Sequence, residues 1–473
     1  MVVFWNEECD RPFDLSGLVI VGRSQWEVLN FAQDESVQML INYQSQPKND
    51  RTGIEDTDVT PKRILMSTDT VGGVWTYALE LARALLPYGV EVALATMGAP
   101  LTPEQWNAAK AIPKLEVFES SFKLEWMEDA WEDVRLAGNW LLDLEERIQP
   151  DVVHLNGYAH GALPWRSPIL IVGHSCVLSW WEAVKGEPAP PSWDRYRHEV
   201  KRGLQAANLV VAPSASMLAA LNKYYGSITH GRVVPNGCDR NKFNPAEKKE
   251  FVLTAGRLWD EAKNVAVLEH IAPQLLWPIY MAGEENHPHH EPQRHRERTE
   301  GGGSSDFSRH VEKSTLDLTP QPHQEQGKGE NSKPSQEQER GFPDPVKSKG
   351  GSSVHLGRLS SEELAGWYAM AAIYVLPARY EPFGLSVLEA ALSGCALVLG
   401  DIPSLREIWG EAAVFVPPDD GEAVAVAINA LITDSTRRCQ LAKTASDRAV
   451  EFTPQRLASG YLKAYQDLIH QRR

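Results

Sequence analysis

Residues 373–389 read IYVLPARYEPFGLSVLE, and this stretch decides the fold class. Its first four residues, Ile373–Leu376, are apolar and mostly β-branched or aromatic, so they predict a buried strand. A loop with proline and glycine follows, and Ser386–Ser393 is predicted to be a helix. A strand that passes directly into a helix is the repeating unit of a parallel α/β sheet.

The same alternation of strands and helices extends in both directions from this stretch. It predicts two doubly wound parallel sheets of the α/β class, with a ligand cleft between them where the strands end. In the first half the predicted strands are Arg63–Ser67, Val90–Ala95, Asp151–Leu155, Ile169–Gly173 and Leu209–Ala212. In the second half, besides Ile373–Leu376, they are Phe251–Ala255, Ile279–Ala282, Val354–Leu356 and Ala396–Leu399.

These patterns divide the chain into domains. Residues 61–240 are predicted to form the first Rossmann-like domain and residues 241–452 the second. Residues 1–60 are an N-terminal extension without a functional interpretation. Residues 286–350 are rich in Pro, Gly, Gln, Glu, Lys and His. We expect a disordered insertion there, because such a segment cannot bury enough apolar surface to offset its ordering entropy.

Composition excludes several classes of protein. The 473 residues include 47 basic and 63 acidic side chains, and this net charge of −16 argues against a nucleic-acid partner. It also limits any membrane association to a peripheral one, and no apolar run approaches the roughly 18 residues of a membrane span. The five cysteines are scattered, which is typical of reduced thiols. We therefore expect a cytoplasmic protein.

Two glutamates bracket the loop and helix start of residues 380–389. Glu381 lies in the loop and Glu389 within the helix, and each carboxylate can accept two hydrogen bonds from paired sugar hydroxyls. The free N–H groups at the helix start favour phosphate. Gly384 allows close backbone approach, and the Ser386 hydroxyl adds a donor. The stretch therefore predicts a site for a sugar and a phosphate.

This stretch resembles the signature of glycosyltransferase family 4, in which seven residues separate two glutamates. The resemblance implies the GT-B fold and a retaining transfer from a nucleotide-sugar donor, without a cofactor or essential metal. It implies that Glu381 contacts hydroxyls of the donor sugar and that Glu389 binds the ribose. The backbone N–H groups of Phe383, Gly384 and Leu385 would face the sugar and diphosphate. The transferred group is expected to be a hexosyl group.

A second segment, GRLWDEAKN at residues 256–264, is similar to the part of the family that carries a basic pair on the donor diphosphate. Its members here would be Arg257 and Lys263. Two cations at that place stabilise the negative charge that grows on the leaving phosphate, so no metal is needed. The resemblance also implies that a helix over residues 453–473 crosses back to the first domain.

The first domain supplies further candidates. Gly72 and Gly73 join the first strand to its helix, and in the family such a loop faces the donor phosphates and the acceptor. His174 ends a predicted strand where the family has a histidine near the anomeric carbon, which makes it the fourth catalytic candidate beside Glu381, Arg257 and Lys263. His154 and Asn156 resemble the acceptor-side strand end.

Two other patterns suggest metals but carry no metal prediction. Residues 56–58 read DTD, like the metal-binding motif of other sugar transferases, but they lie in a polar linker rather than after a buried strand. The histidines His287, His289, His290 and His295 lie among prolines in the predicted disordered tract, which offers no fixed geometry.

Several alternatives remain open at this stage. An epimerase, a phosphorylase or a non-catalytic sugar-nucleotide binder could share the fold. A nicotinamide dehydrogenase would need GxGxxG after its first strand, which is absent. Residues 173–177, GHSCV, resemble the start of a serine hydrolase elbow but lack its second glycine. The sequence most resembles bacterial members of the family. It does not specify the donor base or sugar, nor whether the acceptor is a glycan, a lipid or a metabolite.

Overall fold

The computed structural model describes residues 60–284 and 351–472, in which two wholly parallel sheets form. The first has seven strands in the order β3-β2-β1-β4-β5-β6-β7, and the second has six in the order β10-β9-β8-β11-β12-β13. The strands of the first sheet are Arg63–Asp69 (β1), Glu91–Met97 (β2), Leu115–Glu119 (β3), Val152–Leu155 (β4), Ile169–Val172 (β5), Leu209–Ala212 (β6) and Gly231–Val233 (β7). Those of the second are Lys249–Ala255 (β8), Ile279–Ala282 (β9), Ser353–Gly357 (β10), Ala371–Leu376 (β11), Ala396–Gly400 (β12) and Val414–Val416 (β13).

Helices connect these strands and cover both faces of each sheet. Six belong to the first domain: Gly73–Leu85 (α1), Pro103–Lys110 (α2), Trp131–Ile148 (α3), Val177–Lys185 (α4), Asp194–Ala206 (α5) and Ala215–Tyr225 (α6). The others are Val265–Ile271 (α7), Ser361–Met370 (α8), Leu385–Leu392 (α9), Pro403–Trp409 (α10), Gly421–Thr433 (α11), Ser435–Ala449 (α12) and Pro454–Arg472 (α13). Among the described helices, none combines the length and the apolar character that crossing a bilayer requires.

Burial explains why the central strands form. Ile64 and Met66 on one side of β1, and Leu65 on the other, are at most 1% exposed. They belong to two separate clusters, one on each face of the sheet. The second sheet likewise separates two clusters. A parallel sheet buried on both faces is what near-continuous apolar strands predict, and the expected fold class is confirmed.

Three strands were not predicted from the sequence: β3, β7 and β13. All three lie at sheet edges, where each pairs with one neighbour. Their residues are mostly half-exposed, so they carry no continuous buried run from which a pattern could be recognised. The motif at 56–58, the histidines from His287 to His295, the insertion 286–350 and nearly all of residues 1–60 lie outside the described residues.

The chain passes between the two sheets at two places that contact each other. The backbone N–H of Cys238 donates to the carbonyl of Phe452 at 3.0 Å. Helix α13 follows and packs on the first sheet, where Leu457, Tyr461 and Tyr465 join the cluster around β1 and α1. The last helix of the chain therefore belongs to the core of the first domain.

The double crossing leaves no room for a side chain at Gly237. A β-carbon there would lie 2.4 Å from the carbonyl oxygen of Thr453. We expect Gly237→Ala to lower the free energy of unfolding by about 1–3 kcal/mol, the usual cost of overpacking. Gly157→Ala is the control, because its β-carbon would meet nothing closer than 3.9 Å. The control should change stability by about 0.5 kcal/mol or less. Chemical denaturation measures both, and equal effects would contradict the assignment of strain to the crossing.

Candidate active site

A cleft of about 750 Å³ lies where the carboxyl ends of the two sheets face each other. Residues that follow β1, β4 and β5 line it on one side, and residues that follow β8 and β11 line it on the other. The predicted site residues that line it are Gly72, Gly73, Asn156, His174, Arg257, Lys263, Glu381, Phe383, Gly384, Leu385, Ser386 and Glu389. His154 is not among them.

The glycine pair after β1 faces the second domain directly. Gly72 has a φ of 121°, a conformation that L-residues with side chains rarely adopt, and it precedes α1 without a side-chain cap. A β-carbon on Gly72 would lie 3.7 Å from Arg257 Nη1, and one on Gly73 would lie 3.7 Å from Leu385 Cδ1. The uncapped start of α1 is thus apposed to the two segments predicted to hold the donor.

Arg257 follows β8 after a tight backbone turn. Gly256 takes a φ of 149°, and its carbonyl packs against Gly283, where a β-carbon would come within 1.8 Å. The Arg257 guanidinium is about half-exposed, and its Nη2 lies 3.0 Å from Asp260 Oδ2. Asp260 Oδ1 also accepts a hydrogen bond from Trp180 Nε1 of the first domain at 3.2 Å. This carboxylate therefore holds the arginine in place and links the two domains.

Lys263 and Glu381 form an ion pair in the floor of the cleft. Lys263 Nζ contacts Glu381 Oε2, and the two side chains are only 16% and 13% exposed. Burial would raise the pKa of Glu381, but the Lys263 ammonium, hydrogen bonds to its carboxylate and the more distant Arg257 together hold that pKa below its usual range. Glu381 is therefore ionised at neutral pH.

The backbone amides of the loop after β11, which were expected to face the donor, are partly occupied by the protein itself. Glu381 Oε1 accepts from the N–H groups of Gly384 at 2.9 Å and Phe383 at 3.3 Å, so two of the three amides assigned to the donor are bound by the protein itself. The ring of Phe383 is buried and packs edge-on against Phe452, 5.6 Å away between centroids. Leu385 opens α9, which has no side-chain cap.

Gly384 and Ser386 shape the start of that helix. Gly384 takes a left-handed conformation, with a φ of 88°, which turns the chain from the loop into α9. The Ser386 hydroxyl accepts a hydrogen bond from Tyr374 at 2.8 Å, and Tyr374 is wholly buried. The Tyr374 hydroxyl also lies 3.1 Å from the carbonyl of Ala255, and this network fixes the Ser386 oxygen at the helix start.

Glu389, one helical turn further on, differs electrostatically from Glu381. Burial raises its pKa to about 7, and the nearby Glu80 carboxylate acts in the same direction. Interactions with Tyr368 and Lys242 offset this only in part. About half of the Glu389 carboxyls are thus protonated at neutral pH in the free protein.

His174 lies on the opposite wall and is uncharged. Burial lowers its pKa to about 3. Its Nε2 lies 2.8 Å from Asn156 Oδ1, while Asn156 Nδ2 donates to the carbonyl of Ser67 at 2.7 Å. Because that second bond orients the amide, the His174 proton is inferred to be on Nε2. Nδ1 then carries a lone pair.

His154 lies beneath this wall rather than in it. The side chain is wholly buried. Its Nδ1 is 2.7 Å from the hydroxyl of Tyr465, and its Nε2 is 3.3 Å from the hydroxyl of Tyr77. The histidine thereby ties α13 and α1 to β4. Of the two acceptor-side candidates at this strand end, the structure brings only Asn156 to the cleft.

Asp69 and Tyr380 are among the cleft residues that the sequence analysis missed. Asp69 ends β1, where burial raises its pKa to about 6 despite the attraction of Arg257. Its position at the carboxyl end of a parallel strand was a signal that could have identified it. The Tyr380 hydroxyl accepts hydrogen bonds from the N–H of Cys176 at 3.0 Å and from Ser179 Oγ at 2.9 Å. No sequence pattern pointed to that contact between domains.

Two Rossmann-like domains around a cleft with this arrangement define a GT-B-type protein. Comparison with protein families agrees: the model for Glycosyltransferase Family 4 matches residues 71–242, and that for Glycosyl transferases group 1 matches residues 327–434. The chain belongs to the group 1, family 4 glycosyltransferases. The resemblance found in residues 380–389 is confirmed.

Among the relatives, D-inositol 3-phosphate glycosyltransferase of Frankia alni is 24% identical over 84% of this chain and 95% of its own length. O-antigen chain mannosyltransferase B of Escherichia coli is 33% identical, but the match spans 24% of this chain and 29% of that protein. Among solved structures, sucrose-phosphate synthase from Thermosynechococcus elongatus matches 87% of this chain and all of its own, at 17% identity and a TM-score of 0.63. Anabaena HepE, solved with UDP and glucose, matches 85% of this chain and 99% of its own, at 15% identity and a TM-score of 0.59. These structural likenesses are likenesses of fold.

The ion pair in the cleft floor leads to a testable expectation. Removal of Lys263 or Glu381 leaves its partner as an unpaired, poorly solvated charge. Each single alanine variant should therefore lose more stability than the loss of its own contacts alone would cause. In a double-mutant cycle the coupling energy should be about 1–3 kcal/mol, measured by chemical denaturation. The control is Lys443 with Asp447, 2.6 Å apart and both more than 60% exposed. That pair should couple by about 0.3–0.5 kcal/mol. Equal coupling in the two cycles would show that the cleft pair is no more than a surface contact.

Proposed function

We propose that this chain transfers a hexosyl group from a nucleoside-diphosphate sugar to an acceptor hydroxyl, with retention of the anomeric configuration and without an essential metal. One observation carries the proposal: Arg257 and the Lys263–Glu381 pair lie across the cleft from the uncapped glycine turn at 72–73. Cations, a sugar-orienting carboxylate and a helix start thus converge on one space, as a sugar diphosphate requires. The complexes of HepE with UDP and with UDP-glucose support this class of donor.

The donor diphosphate would lie between the two cations. Lys263 is held by Glu381 and Arg257 by Asp260, so neither side chain needs to be ordered when the donor arrives. Positive charge that is already in place stabilises the phosphate as it departs, without reorganisation during the reaction. The start of α9, at Leu385 and Ser386, would add its N–H groups and a hydroxyl.

The two glutamates would bind opposite ends of the donor. Glu381 is ionised and can accept hydrogen bonds from the sugar hydroxyls, although Oε1 already serves two backbone amides. We infer that Oε2, beside Lys263, is the oxygen that meets the sugar. Glu389 would accept hydrogen bonds from the ribose hydroxyls, for which its carboxyl must be ionised.

Transfer would take place on one face of the sugar. The bond from the anomeric carbon to the phosphate oxygen breaks as the acceptor oxygen bonds to that carbon from the same side, and the acceptor proton passes to the departing phosphate. Gly72 and Gly73 allow the reacting groups to approach α1 closely. His174, neutral and with a free lone pair, would orient a hydroxyl near the anomeric carbon rather than donate a proton.

Donor turnover tests the proposed reaction. Incubation with a panel of nucleotide sugars and acceptors should release a nucleoside diphosphate and a glycoside with the anomeric configuration of the donor, established by NMR. Accumulation of an epimerised donor, or of a sugar phosphate, would instead identify one of the enzymes that share this fold. We place the reaction in the cytoplasm, a reducing compartment, which is consistent with free cysteines at 176, 238, 395 and 439.

The pKa of Glu389 predicts how donor binding depends on pH. With a pKa of about 7, the carboxyl is about 10% ionised at pH 6 and about 90% ionised at pH 8. If only the ionised form accepts the ribose hydroxyls, affinity for a nucleoside diphosphate should rise about tenfold between these values. Calorimetric titration measures it. Glu389→Gln should lose that increment, while it retains any contribution from the phosphate and from Asp69. An identical pH dependence in both proteins would exclude Glu389 from the ribose site.

Arg257 provides a test of metal-free charge stabilisation. Arg257→Ala should lower kcat/KM by an amount equivalent to about 2–4 kcal/mol, the cost of losing a transition-state partner. EDTA should leave the wild-type rate largely intact. Arg406→Ala is the matched control, because Arg406 also pairs with an aspartate, Asp401, and stacks on an aromatic ring, but outside the cleft. An enzyme inactive in EDTA and rescued by Mn²⁺ would point to a metal-dependent mechanism.

A further inference from the structure

Tryptophans are concentrated on the first-domain side of the cleft. Trp126, Trp181 and Trp193 line it, together with Trp180, whose indole N–H is occupied by Asp260. Each of the first three is half-buried and packs partly against the core of the first domain. We call these three the indole wall. Because packing already restricts their rotamers, they offer rigid apolar surface to a ligand at a small entropic cost.

Cations are scarce on the same side. Among the described first-domain residues that line the cleft, the only lysine or arginine is Lys123, whose Nζ donates to the carbonyl of Glu128 at 3.1 Å. Loss of solvation lowers the pKa of both lining histidines, His160 and His174, which disfavours their charged forms. The two strong cations of the cleft, Arg257 and Lys263, belong to the donor side.

The acidic residues on this side do not favour an anion either. Glu125 accepts hydrogen bonds from the backbone N–H groups of Tyr158 at 3.0 Å and Ala159 at 2.7 Å, so its carboxylate holds the loop after β4. Asp69 faces Arg257. A phosphorylated acceptor is best held by several arginine or lysine side chains, whereas the described first-domain lining offers a single lysine, Lys123.

Neutral hydrogen-bonding groups are present beside the indoles. Asn156 and His174 form a hydrogen-bonded pair in the lining, and Ser175 is exposed next to them. Such groups can bind hydroxyls of either donor or acceptor character. The C–H faces of a sugar ring carry partial positive charge and pack well against the electron-rich face of an indole.

We propose that the acceptor is an uncharged carbohydrate, held by stacking on the indole wall and not by phosphate contacts. This inference rests on the proposed function and deepens it by naming the acceptor class. It distinguishes this chain from relatives whose names specify a phosphorylated sugar or inositol, such as the D-inositol 3-phosphate glycosyltransferases.

Binding of matched probes tests the proposal. Saturation-transfer NMR would compare the binding of glucose, mannose and maltotriose with that of glucose 6-phosphate and mannose 6-phosphate at equal concentration. UDP, GDP and ADP would each be present in turn. We expect at least one neutral sugar to bind more tightly than every phosphorylated probe. Trp126→Ala and Trp181→Ala should each weaken that binding about tenfold. Trp106→Ala is the matched control, because this half-buried indole lies outside the cleft, and it should leave sugar binding unchanged.

Several results would overturn the proposal. The first three are tighter binding of a phosphorylated probe, failure of every neutral sugar to bind, and unchanged sugar binding in both tryptophan variants of the cleft. The fourth is that decanol displaces the bound sugar as effectively as maltotriose does. The last would indicate a lipid subsite.

A separate readout keeps this inference distinct from the proposed function. Affinity for the nucleoside diphosphate should be unchanged in the folded tryptophan variants, because the donor side contains none of the three indoles. If the wild-type protein bound none of the nucleoside diphosphates, the proposed function itself would be refuted.

Discussion

Parallel pairing of every described strand is the constraint on which the rest of this structure depends. In each sheet all carboxyl ends lie along one edge, and the two edges face each other. Asp69 ends a strand, and His174, Arg257 and Glu381 each follow one within five residues, although at least 83 positions separate any two of them in sequence. The cleft, its uncapped helix starts and its convergent side chains are consequences of that geometry.

Charge within the cleft is balanced locally. A carboxylate as poorly exposed as that of Glu381 would normally take up a proton, yet Lys263 and two backbone amides keep it ionised. The same contacts tie the loop after β11 to the turn after β8. Tyr380, the residue before Glu381, anchors that loop to the first domain through Cys176. The position of the Glu381 carboxylate is therefore coupled to the position of the opposite wall.

Burial has opposite consequences for the other ionisable groups. It lowers the pKa of His174, which suppresses its positive charge, and it raises those of Asp69 and Glu389, which suppresses their negative charges. Arg257 and Lys263 keep their carboxylate partners, Asp260 and Glu381. The negative charge of the cleft itself is thus reduced, which would favour binding of the diphosphate donor proposed above.

The sequence by itself determined the central strands, the helices that follow them and the family, because these depend on residues close to one another in the chain. Apolar runs identify β1 or β11 wherever both faces are buried, and two glutamates separated by seven residues are a local pattern. Edge strands such as β7 lacked that signal. Only the tertiary structure decided that Glu381 occupies the amides of Phe383 and Gly384, that His154 contacts Tyr465, and that indoles from separate segments line one cleft. These outcomes could not be obtained from local patterns, because burial, ion pairing and pKa shifts arise between groups that the chain brings together only when it folds.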